Sequence, residues 1–316
     1  MQNPDAPTGP ATRAASAGDL LRAAFQVPLP QHALSRLVFR LTRSRARWVK
    51  GPLIRAFVRA YGVDLGEAAE PDLARYPTFN AFFTRALAPG ARPLAGGADE
   101  IACPVDGVVS QAGTIRDGRV FQAKGREFSV SELLGGGPER AAPFRGGTFA
   151  TLYLSPRDYH RVHMPVAGRL VETVHVPGRL YSVDTRTTRA VPRLFARNER
   201  VAALFDTPAG ALAVALVGAL FVGAIETAWQ GLVTPPRGRW VRSLPPPPEG
   251  VVLARGEELG RFGMGSTVIL LFAPARVRWS AGLVPEATVR MGQAIGNIVP
   301  AADGSGERRG EKGASG

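Results

Sequence analysis

The sequence predicts an α+β protein, a β-rich catalytic body of short strands with an N-terminal amphipathic helical region. Three observations carry this. Apolar residues fall at helical spacing between Leu20 and Val63. From about residue 100 the pattern changes to short β-rich runs punctuated by Gly and Pro. The composition, 45% hydrophobic and 21% charged over 316 residues, is that of a chain able to bury a sizeable core.

Residues 1–18 are low in complexity and are expected to be loose. Between Leu20 and Val63 stand nine cations (Arg22, Arg36, Arg40, Arg43, Arg45, Arg47, Lys50, Arg55, Arg59) and no acid. Leu34, Leu37, Val38 and Leu41 share one helical face, and Ile54, Phe57, Val58 and Tyr61 another. Two short helices joined around Gly51-Pro52 are expected, within a basic region spanning 19–70. Such a pair can lie on an anionic membrane, apolar face in the lipid and cations at the headgroups. It can equally pack its apolar stripes on the core and leave the arginines in water.

Residues 71–300 form the expected catalytic domain. Strand-like runs include Gly107–Ser110, Thr148–Leu154, Leu212–Val217 and Thr267–Phe272. The apolar run Ala209–Ile225 is near the lower limit of a bilayer span, roughly 17 residues. Its glycines favour two buried strands with a bend instead. Pro245–Pro248 reads as a stiff surface connection, and residues 301–316 as a disordered tail.

The net charge of +13 favours anionic partners: nucleic acid, anionic lipid or acidic substrates. No nucleic-acid motif accompanies it, so a nucleic-acid partner is not expected. Cys103 is the lone cysteine, which excludes an internal disulfide and reads as a small buried apolar residue. The N-terminus lacks the pattern of a signal peptide, and a cytoplasmic location is expected.

Two of the four histidines, His160 and His163, sit together in Tyr153–Pro165. Histidine is the usual general base near neutral pH. A zinc site would need further ligands that no neighbouring motif supplies, so no metal is expected. Asp106-Gly107 alone reads as a turn, and Gly265-Ser266-Thr267 as a bend before a strand. Together, an acid, a histidine and a serine are the parts of an activated nucleophile. The hydrolase signature Gly-x-Ser-x-Gly is missing, because Thr267 and Val268 follow Ser266. The peptide carbonyl of Gly265 is then the nearest electrophile.

On Phe82-Phe83-Thr84-Arg85, Pro104-Val105-Asp106-Gly107, Tyr153–Pro165, Leu194–Arg200, Thr234-Pro235-Pro236 and Gly265-Ser266-Thr267, the chain resembles the bacterial, pyruvoyl-dependent phosphatidylserine decarboxylase proenzymes. The resemblance runs from about residue 50 to about 295, with Met264 where the family usually has leucine. It implies that Asp106, His163 and Ser266 form a self-processing triad. The chain would be cut between Gly265 and Ser266, and Ser266 would become a covalent pyruvoyl group. That cofactor would form a Schiff base with phosphatidylserine and release carbon dioxide, leaving phosphatidylethanolamine, with His160 assisting decarboxylation or protonation. The large chain (1–265) and small chain (266–316) would stay together as a heterodimer, and a higher oligomer is compatible with this. A lipid substrate favours the membrane-docking reading of the basic helices, hence a peripheral position on the cytoplasmic side of the cell membrane. The rival expectations are a serine hydrolase acting on a lipid ester and a non-catalytic basic membrane-binding protein.

Overall fold

The computed structural model describes residues 14–221, 224–235, 238–263 and 266–300. The expected loose ends at 1–13 and 301–316, and Met264 and Gly265 of the expected cleavage site, lie outside the described residues.

Three N-terminal helices are present rather than two: α1 (Ala17–Gln26), α2 (Gln31–Thr42) and α3 (Arg47–Tyr61). The start of α1 falls within the stretch expected to be loose. Ser16 and Asp19 form a reciprocal capping box there, which satisfies two otherwise open amides. Gly51-Pro52 does not separate helices, since Pro52 lies inside α3. It removes one main-chain hydrogen bond, a local loss. The helix continues because Ile54 and Phe57 are buried in an aromatic cluster with Phe79, Phe82 and Phe83 of α4 (Phe79–Phe83). Gly62, at φ 62°, ends α3 in the left-handed conformation that glycine adopts without strain.

The body is built on an antiparallel sheet of nine strands. In chain order these are β1 (Gly107–Thr114), β2 (Thr148–Leu154), β3 (Gly168–Val176), β4 (Arg200–Thr207) and β5 (Gly210–Val217). They continue with β6 (Arg242–Leu244), β7 (Val252–Leu253), β8 (Ser266–Phe272) and β9 (Thr288–Val289). Their order across the sheet is β6-β3-β4-β5-β8-β2-β1-β9, with β7 also on β3. The expected strands at 107–110, 148–154, 212–217 and 267–272 all lie in this sheet.

Every residue of β8 is buried, and the strand is paired along its whole length with β2 and from Thr267 onward with β5. That accounts for its continuous apolar run, which lacks the alternation of a half-exposed strand. The run Ala209–Ile225 supplies β5 and begins the short strand Ile225–Thr227. Among the described residues, no helix is long and apolar enough to cross a membrane. A second sheet of four strands contains Ile225–Thr227, Gly231–Thr234, Glu258–Phe262 and Arg161–His163. Cys103 is buried, and burial pushes its thiol up to about 12, so it behaves as the small core residue expected.

Leu270, in the middle of β8, has no solvent exposure. Leu270→Ala is expected to lower stability by about 2–5 kcal/mol, read from the urea midpoint. A loss below about 1 kcal/mol would mean that this strand is not closely packed.

Candidate functional site

The residues singled out in the sequence gather at one end of the nine-stranded sheet. Ser266 opens β8 and pairs with Leu154 at the end of β2. Val108, next to Asp106-Gly107, pairs with Tyr153. Gly107 is therefore no mere turn: its backbone lies so close to the Tyr153 carbonyl that a Cβ could not be placed there. The loop after β2 carries the histidine segment. His160 accepts a hydrogen bond at its carbonyl from the Phe262 amide (3.1 Å), four residues before Ser266.

Ser266 is fully buried, and its Oγ has no hydrogen-bond partner among the described residues. Buried hydroxyls are normally satisfied, so an orphan asks for an explanation in function. His160 holds a second orphan. Its Nδ1 lies 2.8 Å from the Asp158 carbonyl, which can only accept, so Nδ1 carries the proton and Nε2 the lone pair. Among the described residues, Nε2 is buried without a partner. The ring packs on Phe83, centroids 4.0 Å apart. Burial drives the imidazole from 6.5 down to about 3, so His160 stays neutral at physiological pH.

His163 is arranged differently. Nδ1–H donates to the Gly256 carbonyl (2.8 Å), and Nε2 accepts from the Tyr159 hydroxyl (2.9 Å). Burial lowers its pKa, opposed by the Gly256 bond and, more weakly, by the charges of Glu258 and Asp106. Burial also pushes the Tyr159 phenol up to about 12, which keeps it a donor.

Asp106 is held by Arg92, whose Nε lies 3.0 Å from Oδ1 and Nη2 2.6 Å from Oδ2. The Met291 amide adds a third bond (2.8 Å). Arg92 also pairs with Glu67 (2.7 Å). The structure thus brings Asp106, His160, His163 and Ser266 to one rim. Among the described residues it does not link Asp106, His163 and Ser266 by hydrogen bonds. Asp106 borders a cleft of about 350 Å³ together with Arg85, Ser155, Asp158 and Tyr159.

Sequence reasoning missed Arg92, Tyr159 and Phe83 as parts of this site. Arg92 reaches it through long-range packing and carries no local signal, whereas Phe83 stood in the quoted Phe82–Arg85 stretch without its packing on His160 being legible. Tyr159 stood within the quoted histidine segment, and its position four residues before His163 was a signal available but unused.

Comparison with known proteins adds a second line of observation. A family model described as phosphatidylserine decarboxylase matches residues 79–297, and one described as PSD matches residues 21–62. The chain is 54% identical over 284 residues to a phosphatidylserine decarboxylase proenzyme of Nitrosococcus oceani, covering 90% of this chain and 93% of that one. It is 56% identical to the protein of the same name from Ectopseudomonas mendocina, covering 86% and 96%. For that of Azotobacter vinelandii the identity is 58%, covering 85% and 94%.

The state of His160 can be read from stability. A group whose folded pKa is depressed contributes stability that is present above its unfolded value and lost as pH falls towards the folded one. For His160 that window runs from 6.5 down to about 3. In a Ser266→Ala background, the stability advantage of His160 over His160→Gln is expected to be constant above pH 7 and to shrink below 6.5. A constant difference down to pH 4 in urea titrations would contradict a buried neutral imidazole.

Proposed function

The chain belongs to the phosphatidylserine decarboxylase family, and on that premise we propose how its own residues serve the reaction. The enzyme removes the carboxyl group of phosphatidylserine as carbon dioxide and yields phosphatidylethanolamine, a step of phospholipid biosynthesis. It is a pyruvoyl-dependent decarboxylase made as a proenzyme. The finer reading is that the pyruvoyl group derives from Ser266. The observation that carries it is the buried Ser266 Oγ, without a partner among the described residues, on the same rim as the His160 Nε2, likewise without one among them.

A hydroxyl in that position is free to attack the carbonyl of residue 265. Ser266 gives up its proton to His163, Oγ bonds to the carbonyl carbon, and the amide nitrogen takes up a proton as the peptide becomes an ester. Loss of the Ser266 α-proton then expels the carboxylate of residue 265 and leaves a carbon–carbon double bond at 266. Water replaces the nitrogen, released as ammonia, and a ketone remains. For His163 to act, the Tyr159 hydroxyl must turn away from Nε2. Asp106 is tied to Arg92 and acts on His163 through its charge, favouring the imidazolium that forms.

The site fits the group. It would head a strand paired with β2 from its first residue, with the orphan Nε2 of His160 on the same rim. Held at the head of β8, a pyruvoyl group would supply a ketone for the substrate amine and an electron sink for the departure of carbon dioxide. His160 is the side chain we assign to the carbon that loses carbon dioxide: its open, unprotonated Nε2 would take up the proton that the substrate ammonium sheds and return it to that carbon once carbon dioxide has left. Strand β8 lies between β5 and β2, and β9 pairs with β1, all three from before residue 265, so the two pieces would remain one particle after cutting.

The helices α1 and α2 and the start of α3 supply the membrane contact in this reading. Leu21, Phe25, Leu37 and Trp48 are exposed among the arginines. Apolar side chains enter the lipid while cations meet anionic headgroups, giving a peripheral position.

Intact mass of the purified protein should show two species, 1–265 and 266–316, the smaller with a pyruvoyl terminus and both co-eluting in native buffer. Ser266→Ala should remain whole. His163→Asn is expected to block cutting, whereas His160→Asn is expected to cut and then turn over at least a hundredfold more slowly. Full turnover in His160→Asn would remove its role, and an uncut parent chain would remove that of Ser266. For the membrane, Leu21→Glu/Leu37→Glu/Trp48→Glu should bind anionic vesicles at least tenfold more weakly, and salt should weaken the parent. Undiminished binding in both tests would count against docking by these helices.

A further inference from the structure

A second cleft, of about 620 Å³, opens on the same rim of the sheet but on the side of Ser266 away from Asp106. Its walls are Arg36, Phe39 and Arg40 of α2, with Pro177, Pro235 and Arg239. Arg36 and Arg40 stand one turn apart, and they and Arg239 are exposed. No ion pair joins any of the three to a carboxylate among the described residues. The one acid in the lining, Glu199, is buried and bound by His175 (3.0 Å) and Thr234 (2.7 Å). Three cations beside Phe39, Pro177 and Pro235 repel one another and suit an anion that carries an apolar portion.

The distance to Ser266 narrows the choice. Glu199 precedes Arg200, which pairs with Val217, which pairs with Thr267. Two strand spacings make about 10 Å between the backbone at Glu199, in the cleft wall, and Ser266. In a serine headgroup the amine lies four bonds from phosphorus, roughly 5 Å at ordinary bond lengths. The length of an arginine side chain is enough to cover the remainder. Exposed apolar residues flank the cations, Leu37 and Leu41 on α2 and Trp240 and Val241 beside Arg239, so the mouth faces where lipid chains would lie.

We propose that Arg36, Arg40 and Arg239 bind the phosphodiester of a glycerophospholipid whose headgroup amine reaches Ser266. This assignment rests on the role given to Ser266 above and names the groups that select a lipid over a free amino acid.

The test uses the full, self-processed protein and a short-chain phosphatidylserine kept below its micelle-forming concentration, so that no surface is present. Arg36→Gln/Arg40→Gln and Arg239→Gln are expected to cut at the parent rate, seen by mass. Their kcat/KM on the dissolved lipid should fall at least tenfold, chiefly through KM, and Arg36→Lys/Arg40→Lys should recover part of it. Parent-like kinetics on dissolved lipid, with loss confined to anionic vesicles, would assign the arginines to surface docking and overturn the proposal. So would variants that no longer cut, which would place these residues in the fold. A parent chain that never cuts would instead overturn the reading of Ser266, an outcome visible before any variant is assayed.

Discussion

The strand Ser266–Phe272 is hydrogen-bonded to β2 from its first residue, to β5 from the second, and buried on both faces. An antiparallel strand held in this way cannot slide, because a shift of one residue would turn every side chain to the opposite face. Ser266 is therefore held in place by the core and not by polar partners of its own. Its hydroxyl can remain without a hydrogen bond because the neighbouring ladder supplies the stability that this unsatisfied group gives up. Nothing local would keep it there if the core were loosened.

The histidines show how one short segment can create two chemical environments. His160 and His163 are three residues apart, and burial depresses both. Their proton arrangement differs by partner: His160 leaves Nε2 open, and His163 gives Nε2 to a phenol that burial keeps protonated. Arg92 takes the carboxylate that a hydrolase would place against the imidazole. Asp106 is then a fixed charge near His163, a weaker and less directional influence than a direct hydrogen bond.

Much of this was legible in the sequence, for physical reasons that differ by region. Thr148–Leu154 and Thr267–Phe272 are buried strands rich in β-branched and aliphatic residues, so their runs declared them. The helical faces at Leu34–Leu41 and Ile54–Tyr61 are amphipathic and equally plain. Gly51-Pro52 misled because local propensity opposes a helix there, while the buried Ile54 and Phe57 hold it. The start of the first helix was hidden at the end of a low-complexity stretch, where the Ser16–Asp19 cap marks its beginning. Asp106, His160, His163 and Ser266, which the structure gathers on one rim, stood out by type and motif. Arg92 did not, since an arginine's partners are set by tertiary contacts that local pattern does not encode.

Phe57 of α3 meets Phe83 of α4 edge to face at 5.7 Å, and Phe83 lies against the ring of His160 at 4.0 Å. The helical region that faces outward with its cations thus also forms the back wall of a histidine in the interior. It is not a detachable module. Trimming it to obtain a more tractable protein would open the pocket around His160 to water and return its imidazole towards ordinary basicity, so the outermost helices and the innermost histidine stand or fall together.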